Sequence, residues 1–148
     1  MTGDRIVLTA LLALLGVVAV RADLKKALAE QDLGKRSKLA LDNAQAAYQA
    51  ARDAYAKSDM PQVKASIEEL EESIDLANRS LNETGKNPRK NPKWFKNAEI
   101  STRELARRIA GFQDEMDYSD RSLLDKLKAH VQQVHDGLLL GLMEGTKK

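Results

Sequence analysis

The chain has 148 residues with 24 basic and 22 acidic side chains, and a formal net charge of +2 is too small to recruit nucleic acid through a global field. It contains no cysteine, which excludes disulfides, thiolate metal sites, c-type haem attachment and thiol nucleophiles. Charged residues make up 31% of the chain and aromatic residues only 4%, a composition typical of helices.

The first 22 residues have the pattern of a secretory signal peptide. Residues 6–20 carry no charge, and this run is shorter than the about 20 residues that a membrane-spanning helix needs. Arg5 precedes the run, and Val20 and Ala22 place small residues where signal peptidase reads the chain. We expect cleavage after Ala22, although Arg21 is an unusual neighbour for the cut and leaves an uncleaved N-terminal anchor as the alternative. The predicted localisation is therefore periplasmic or secreted, in a bacterium.

An N-terminal extension, residues 23–34, precedes the predicted domain. Leu24, Ala27 and Leu28 are spaced to continue the next helix toward the N-terminus, whereas Gly34 favours a break. Residues 35–148 are predicted to form one helical bundle domain, which is large enough to bury a core without disulfides.

Four stretches of this domain repeat apolar residues at alternating steps of three and four, which keeps one face of a helix against a partner. The predicted helices span 35–57, 60–82, 92–115 and 119–142. Their stripes are Leu41, Ala44, Tyr48, Ala51 and Tyr55; Met60, Val63, Ile67, Leu70, Ile74, Ala77 and Leu81; Phe95, Ala98, Thr102, Leu105, Ile109, Phe112 and Met116; and Leu124, Leu127, Val131, Val134 and Leu138.

Helix-start signals support these boundaries. Asp59 and Gln62 have the spacing of a capping box, with Pro61 in the first turn, and Asn91 with Pro92 predicts a similar start for the third helix. The fourth helix is preceded by three side chains that can cap it, Asp117, Ser119 and Asp120.

The turns after Lys57 and Glu115 are short enough to fold each pair of helices into an antiparallel hairpin. The hairpins span 35–82 and 92–142, and a basic linker, 83–91, joins them. Each hairpin keeps one apolar face, so the predicted fold is all-α, an antiparallel four-helix bundle made of two helical hairpins.

Groups that could hold a metal or haem do not converge in this pattern. His130 and His135 lie about 140° apart around a helix, so they cannot ligate one metal from the same face, and we expect both at the core boundary with their tips in water. A haem held between methionine and histidine fails by distance, since His130 lies about 16 Å below the end where Met60 and Met116 are expected. No cofactor and no metal are predicted.

Catalytic motifs are equally lacking in the sequence. No serine, histidine and acid follow a nucleophile motif, and no glycine-rich loop follows a strand pattern. The paired carboxylates of the second helix, Glu68 with Glu69 and Glu71 with Glu72, are expected on a solvated face. We therefore predict that the protein is not an enzyme.

Basic residues gather around the only tryptophan. The linker and the start of the third helix contain Lys86, Arg89, Lys90, Lys93, Trp94 and Lys96. A basic loop with an amphipathic aromatic can bind anionic phospholipid headgroups or acidic glycans. The alternative is a solvated connector whose tryptophan closes the end of the bundle.

The C-terminal stretch is apolar on every side of its helix. The candidate partner contacts are Leu138, Leu139, Leu140, Leu142 and Met143. Gly137, Gly141 and Gly145 punctuate this stretch, and an interior glycine costs a helix about 1 kcal/mol relative to alanine, so something must compensate. The segment is expected either to close the bundle end against Leu24 and Leu28 or to present an apolar patch to a partner.

Together these patterns predict a non-catalytic exported bundle that acts as a structural or protein-interaction module in the bacterial envelope. Two alternatives stay open at this point. One is a periplasmic bundle that carries haem or a metal, and the other is a binder of anionic surfaces. A protein partner or self-association is compatible with the first reading, whereas nucleic acid and a transmembrane span in the mature chain are not expected.

Overall fold

The computed structural model describes residues 23–145, and this part of the chain is all-helical, with no strand. Five α-helices pack against one another: α1 at 23–29, α2 at Leu33–Ala56, α3 at Met60–Glu83, α4 at Lys93–Glu115 and α5 at Asp125–Glu144. A 3₁₀-helix, Tyr118–Leu124, precedes α5. The predicted signal peptide lies outside the described residues, so its cleavage stays a prediction. Among the described helices, none combines the length and the hydropathy needed to cross a bilayer.

Of the four longer helices, α2 and α3 begin with a side-chain cap. Asp59 caps α3 by accepting the amide of Gln62 at 3.3 Å, and Asp32 caps α2 by accepting the amide of Lys35 at 2.9 Å. The expected cap from Asn91 is wrong, because Pro92 occupies the N-cap position of α4 and no side chain caps that end.

The fourth predicted helix begins differently from its pattern. Its first residues form the 3₁₀-helix, and Asp117 occupies the N-cap position without a capping hydrogen bond from its side chain. Tyr55 of α2 holds this segment instead, because its hydroxyl accepts the Asp117 amide at 2.9 Å and donates to the Asp120 carboxylate at 3.0 Å. A tertiary contact therefore replaces the predicted local cap.

The predicted apolar stripes form the core. Every stripe residue is buried except Tyr55 and Met60, which are partly buried at the end of the bundle where α2 turns into α3. The small residues beside the first stripe, Ala40, Ala47 and Ala54, are buried too. Among the described helices, α2 and α3 share the most extensive contact, as expected when small side chains let two helices approach closely.

The hairpins dock with like-directed helices side by side. Gly34 lies against Trp94 at the starts of α2 and α4, and Arg52 pairs with Glu115 near their ends, so α2 and α4 run in the same direction. Helices α3 and α5 do likewise, since Glu71 contacts Lys126 and, one turn further along both helices, Asp75 contacts His130.

The short helix α1 covers part of α3 that the pattern assigned to solvent. Ala27 is fully buried, and Leu24 and Leu28 line hollows together with Glu72 of α3. Leu24 and Leu28 lie against α3, whereas the C-terminal end of α5 lies against the linker. The solvated-face expectation is also wrong for Glu69, which is buried with 8% exposure.

Candidate functional site

The basic residues around Trp94 and the glycine-containing C-terminal stretch lie at the same end of the bundle. This end, called the linker end, contains the starts of α2 and α4, the ends of α3 and α5, and the linker between them. A Cβ atom placed on Gly141 would lie 3.3 Å from Pro88 Cγ, and one placed on Gly145 would lie 3.0 Å from the Asn87 side chain. The last turn of α5 therefore packs directly on the linker.

Trp94 is seated on the backbone of α2. Any Cβ added to Gly34 would overlap the Trp94 indole ring, so the missing side chain is what admits the ring. The Lys93 ammonium lies 4.6 Å from the centroid of the same ring, within the range of a cation–π interaction. Gly34 lies in the first turn of α2, and the predicted break occurs just before it, at residues 30–32.

A cavity of about 510 Å³ opens beside this tryptophan. Its apolar wall consists of Leu33, Leu81, Trp94 and Phe95. Its charged wall consists of Asp32, Lys86 and Lys93, and its polar wall of Gln31, Thr84 and Asn91. An apolar hollow with a few convergent polar groups is the usual form of a small-molecule site.

The Asp32 charge on this wall is engaged by the helix that it caps. The hydrogen bond from the Lys35 amide holds the pKa of the Asp32 carboxyl below its ordinary value, and nearby lysines act in the same direction. The start of α4 on the opposite wall has no such cap. The Asp32 carboxylate is thus engaged by α2, whereas Lys86 and Lys93, which also line the cavity, form no salt bridge within residues 23–145.

The predicted basic residues fall into two groups. All five of Lys86, Arg89, Lys90, Lys93 and Lys96 are exposed, and within the described part of the chain none of them forms an ion pair. Only two of them, Lys86 and Lys93, line the cavity together with Trp94. The other three lie on the surface around it.

The predicted partner contacts also divide. Leu138 belongs to the core and Leu142 is partly buried against it, so neither is free for a partner. Leu139, Leu140 and Met143 are exposed by 40%, 53% and 68%. These three residues are called the α5 strip: Leu139 and Leu140 are adjacent, and Met143 lies one turn further along the outer side of the helix.

A second cavity, of about 440 Å³, lies between α3 and α5. It is lined by Gly137 and Gly141 together with amide side chains that include Asn78, Asn82 and Gln133. A Cβ atom on Gly137 would meet nothing within 4 Å. Of these two glycines, only Gly141 has a neighbour that an added side chain would contact.

Buried polar groups form pairs that the sequence analysis missed. Glu69 accepts a hydrogen bond from Asn43 Nδ2 at 3.2 Å, and the same amide donates to Ser73 Oγ at 2.7 Å. His135 is buried with 8% exposure, and its Nε2 lies 3.0 Å from an oxygen of Glu99. The expectation of a water-exposed tip is therefore wrong for His135. These hydrogen bonds join α2 to α3 and α4 to α5.

His130 pairs separately with Asp75 at 2.7 Å, so the two histidines have different acidic neighbours. Among residues 23–145, no three histidine and carboxylate side chains come together in the manner that a metal site requires.

Leu33, Gly34 and Leu81 line the cavity beside Trp94 but were not among the predicted site residues. Of these three, Gly34 has a sequence signal for such a position. A glycine inside a helical pattern often marks a close approach by another group.

Comparison of the sequence with models of known protein families finds no match, and a search of curated proteins finds none either. Function is therefore inferred from the geometry and chemistry of the linker end.

Proposed function

We propose that this protein is a non-catalytic, exported interaction module of the bacterial envelope, built as a four-helix bundle of two docked antiparallel hairpins, and that it binds a protein partner through the α5 strip. The observation that carries the proposal is the exposure of Leu139, Leu140 and Met143 on a helix whose inner face is fully used by the core. A partner can bury an apolar strip on a rigid helix without any rearrangement of the bundle.

Structural roles for the buried ionisable groups support a non-catalytic function. Glu69 is bonded to Asn43, and Glu99 is paired with His135 and lies 3.7 Å from the Arg103 guanidinium. Each of these groups has a partner inside the helix packing and is not aimed into either of the cavities beside the linker.

Site-specific photocrosslinking in intact cells tests the partner surface. A photoreactive residue at position 140 or 143 should capture a discrete protein, either a different chain or a second copy. A photoreactive residue at position 118 is the control, because Tyr118 is 88% exposed at the opposite end of the bundle. Equal capture from position 118, or no capture from the α5 strip, would contradict the proposal.

The same variants can be followed in solution. Replacing the α5 strip by L139Q/L140Q/M143Q should abolish capture of the partner while leaving the helical circular dichroism spectrum unchanged. The matched control is I100Q, since Ile100 is 51% exposed on α4 and lies outside the α5 strip. Cell fractionation with mass spectrometry of the mature chain tests export, and a chain that begins at Asp23 is the expected product.

A second candidate function is attachment to anionic surfaces. The observation that favours it is the group of five exposed lysine and arginine side chains at the linker end, which form no ion pair within residues 23–145. A basic residue near an anionic membrane contributes about 1 kcal/mol of attraction, and salt weakens it. Sedimentation with acidic phospholipid vesicles should therefore be salt-sensitive.

The variant R89Q/K90Q should lower vesicle binding at least tenfold, since two such residues contribute roughly 2 kcal/mol. The control K57Q/K64Q changes the net charge equally, and both of its lysines lie near the turn between α2 and α3 at the other end of the bundle. Equal losses from the two variants would indicate a general charge effect and not a surface site.

A further inference from the structure

We propose that the cavity beside Trp94 is a binding site for a small anionic amphiphile, a ligand with one carboxylate, sulfonate or phosphate group on a compact aromatic or alicyclic body. The proposal is independent of the α5 strip. It concerns a soluble small molecule, whereas the vesicle experiment above concerns a surface.

The dimensions and lining of the cavity fit such a ligand. A volume of about 510 Å³ falls within the range of pockets that hold small molecules. All of its lining residues belong to 31–34, 81–86 and 91–95, so the cavity is confined to the helix ends and does not run along the bundle. A compact body therefore fits it better than a long acyl chain.

The apolar wall provides most of the contact area for that body. Trp94 and Phe95 are neighbours at the start of α4, and Leu33 and Leu81 come from the other hairpin. Burying aromatic or alicyclic surface against such side chains removes apolar area from water and so favours binding.

The charge distribution favours an anion. Lys86 and Lys93 contribute two ammonium groups, while the single acidic group, Asp32, already accepts the Lys35 amide. Lys93 is held over the Trp94 ring, so its charge is kept close to the apolar wall. The uncapped start of α4 adds positive potential to a wall that the two lysines already make basic.

Gly34 maintains this arrangement. Because Trp94 packs on the backbone of α2, the ring forms a wall of the cavity in place of filling its interior. The same contact ties the starts of α2 and α4 together, so the site is present only when the two hairpins are docked.

The test uses the full-length protein and the aromatic sulfonate 8-anilinonaphthalene-1-sulfonate as the probe. Trp94 is the only tryptophan, so its emission reports a dye bound next to it. We expect saturable binding of one dye per chain, with dye emission excited by energy transfer from Trp94. The uncharged analogue N-phenyl-1-naphthylamine, which lacks the sulfonate, should bind at least tenfold more weakly.

Charge variants locate the site. K86Q/K93Q should weaken dye binding at least tenfold, K86R/K93R should retain it within about threefold, and R89Q/K90Q should leave it within about twofold although it removes the same charge. The thermal unfolding midpoint of each variant, measured in the absence of dye, identifies any variant that fails to fold. The arginine variant then separates loss of charge from loss of structure.

Three results would overturn the proposal. One is equal weakening by K86Q/K93Q and R89Q/K90Q, which would indicate attraction to the general basic surface. Another is dye binding that K86Q/K93Q leaves unchanged and L139Q/L140Q/M143Q abolishes, which would place the dye on the α5 strip. The third is absence of saturable binding to a folded wild-type protein. None of these results would affect the crosslinking test of the proposed partner surface.

Discussion

At the scale of single residues, the contact between Gly34 and Trp94 depends on the absence of one methyl group. A glycine in the first turn of a helix lowers stability relative to alanine unless another group packs into the space that a side chain would take. At Gly34 the indole ring of Trp94 occupies the space that a Cβ atom would take. Asn43 and Glu69 illustrate the complementary case, in which a buried carboxylate is tolerated because an amide donates to it.

The substitution Gly34→Ala should displace the Trp94 ring and lower the free energy of unfolding by about 1–3 kcal/mol, the usual cost of overpacking. Denaturant unfolding measures this cost, and a shift of the tryptophan emission maximum reports the displaced ring. The control is Gly111→Ala, since a Cβ atom there would meet nothing within 4 Å. Unchanged emission in Gly34→Ala would contradict the predicted contact.

At the scale of helices, α5 combines an inner face in the core, an exposed outer strip and several glycines. Its inner residues, including Val131 and Leu138, are buried, which is why the helix persists despite the glycine cost. The glycines differ in their surroundings, since Gly137 faces open space and Gly141 approaches Pro88 of the linker. Of these two glycines, only at Gly141 would an added methyl group press on a neighbouring side chain.

Gly137→Ala should therefore raise the free energy of unfolding by about 0.5–1 kcal/mol, because alanine is the better helix former and its methyl group fits without strain. Gly141→Ala should give less than half of this gain or a net loss, since its methyl group would press on the Pro88 ring. Thermal unfolding followed by circular dichroism compares the two variants. An equal gain in both variants would show that Pro88 moves aside without an energetic cost, and it would contradict the prediction.

At the scale of the whole molecule, the two hairpins share one core and dock with their like-directed helices adjacent. The starts of α2 and α4 therefore lie at the same end, together with the linker and its lysines. This arrangement concentrates positive potential at the linker end, although the complete chain has a net charge of only +2. The cavity beside Trp94 lies between the hairpins and depends on their docking.

Leu105→Ala tests whether the shared core unfolds as one unit. Leu105 is almost fully buried, so its truncation should lower the free energy of unfolding by about 2–5 kcal/mol. Circular dichroism, which reports all helices, and Trp94 emission, which reports the contact between hairpins, should shift together. Ile100→Ala, at an exposed position on the same helix, should cost less than about 0.5 kcal/mol. Separate transitions for the two signals would contradict a single cooperative unit.

The half-heptad periodicity of the sequence was sufficient to predict the helices and their buried faces. Predicted and observed helix boundaries agree within about two residues for the first three helices, and nearly every stripe residue is buried. Periodicity is a local property, and it determines which face of each helix must leave water regardless of the partner. The Asp59 cap was predictable for the same reason, since its donor lies three residues away.

Only the tertiary structure decided how the hairpins dock and which polar residues they bury. Glu69 and His135 have unremarkable positions in the sequence, yet α1 brings Leu24 and Leu28 to the hollow that Glu69 lines, and α4 brings Glu99 to His135. Trp94 meets Gly34 across 60 residues of chain. Such contacts depend on the relative placement of whole helices, which alternating steps of three and four residues do not encode, because the same stripe can pack against several partners.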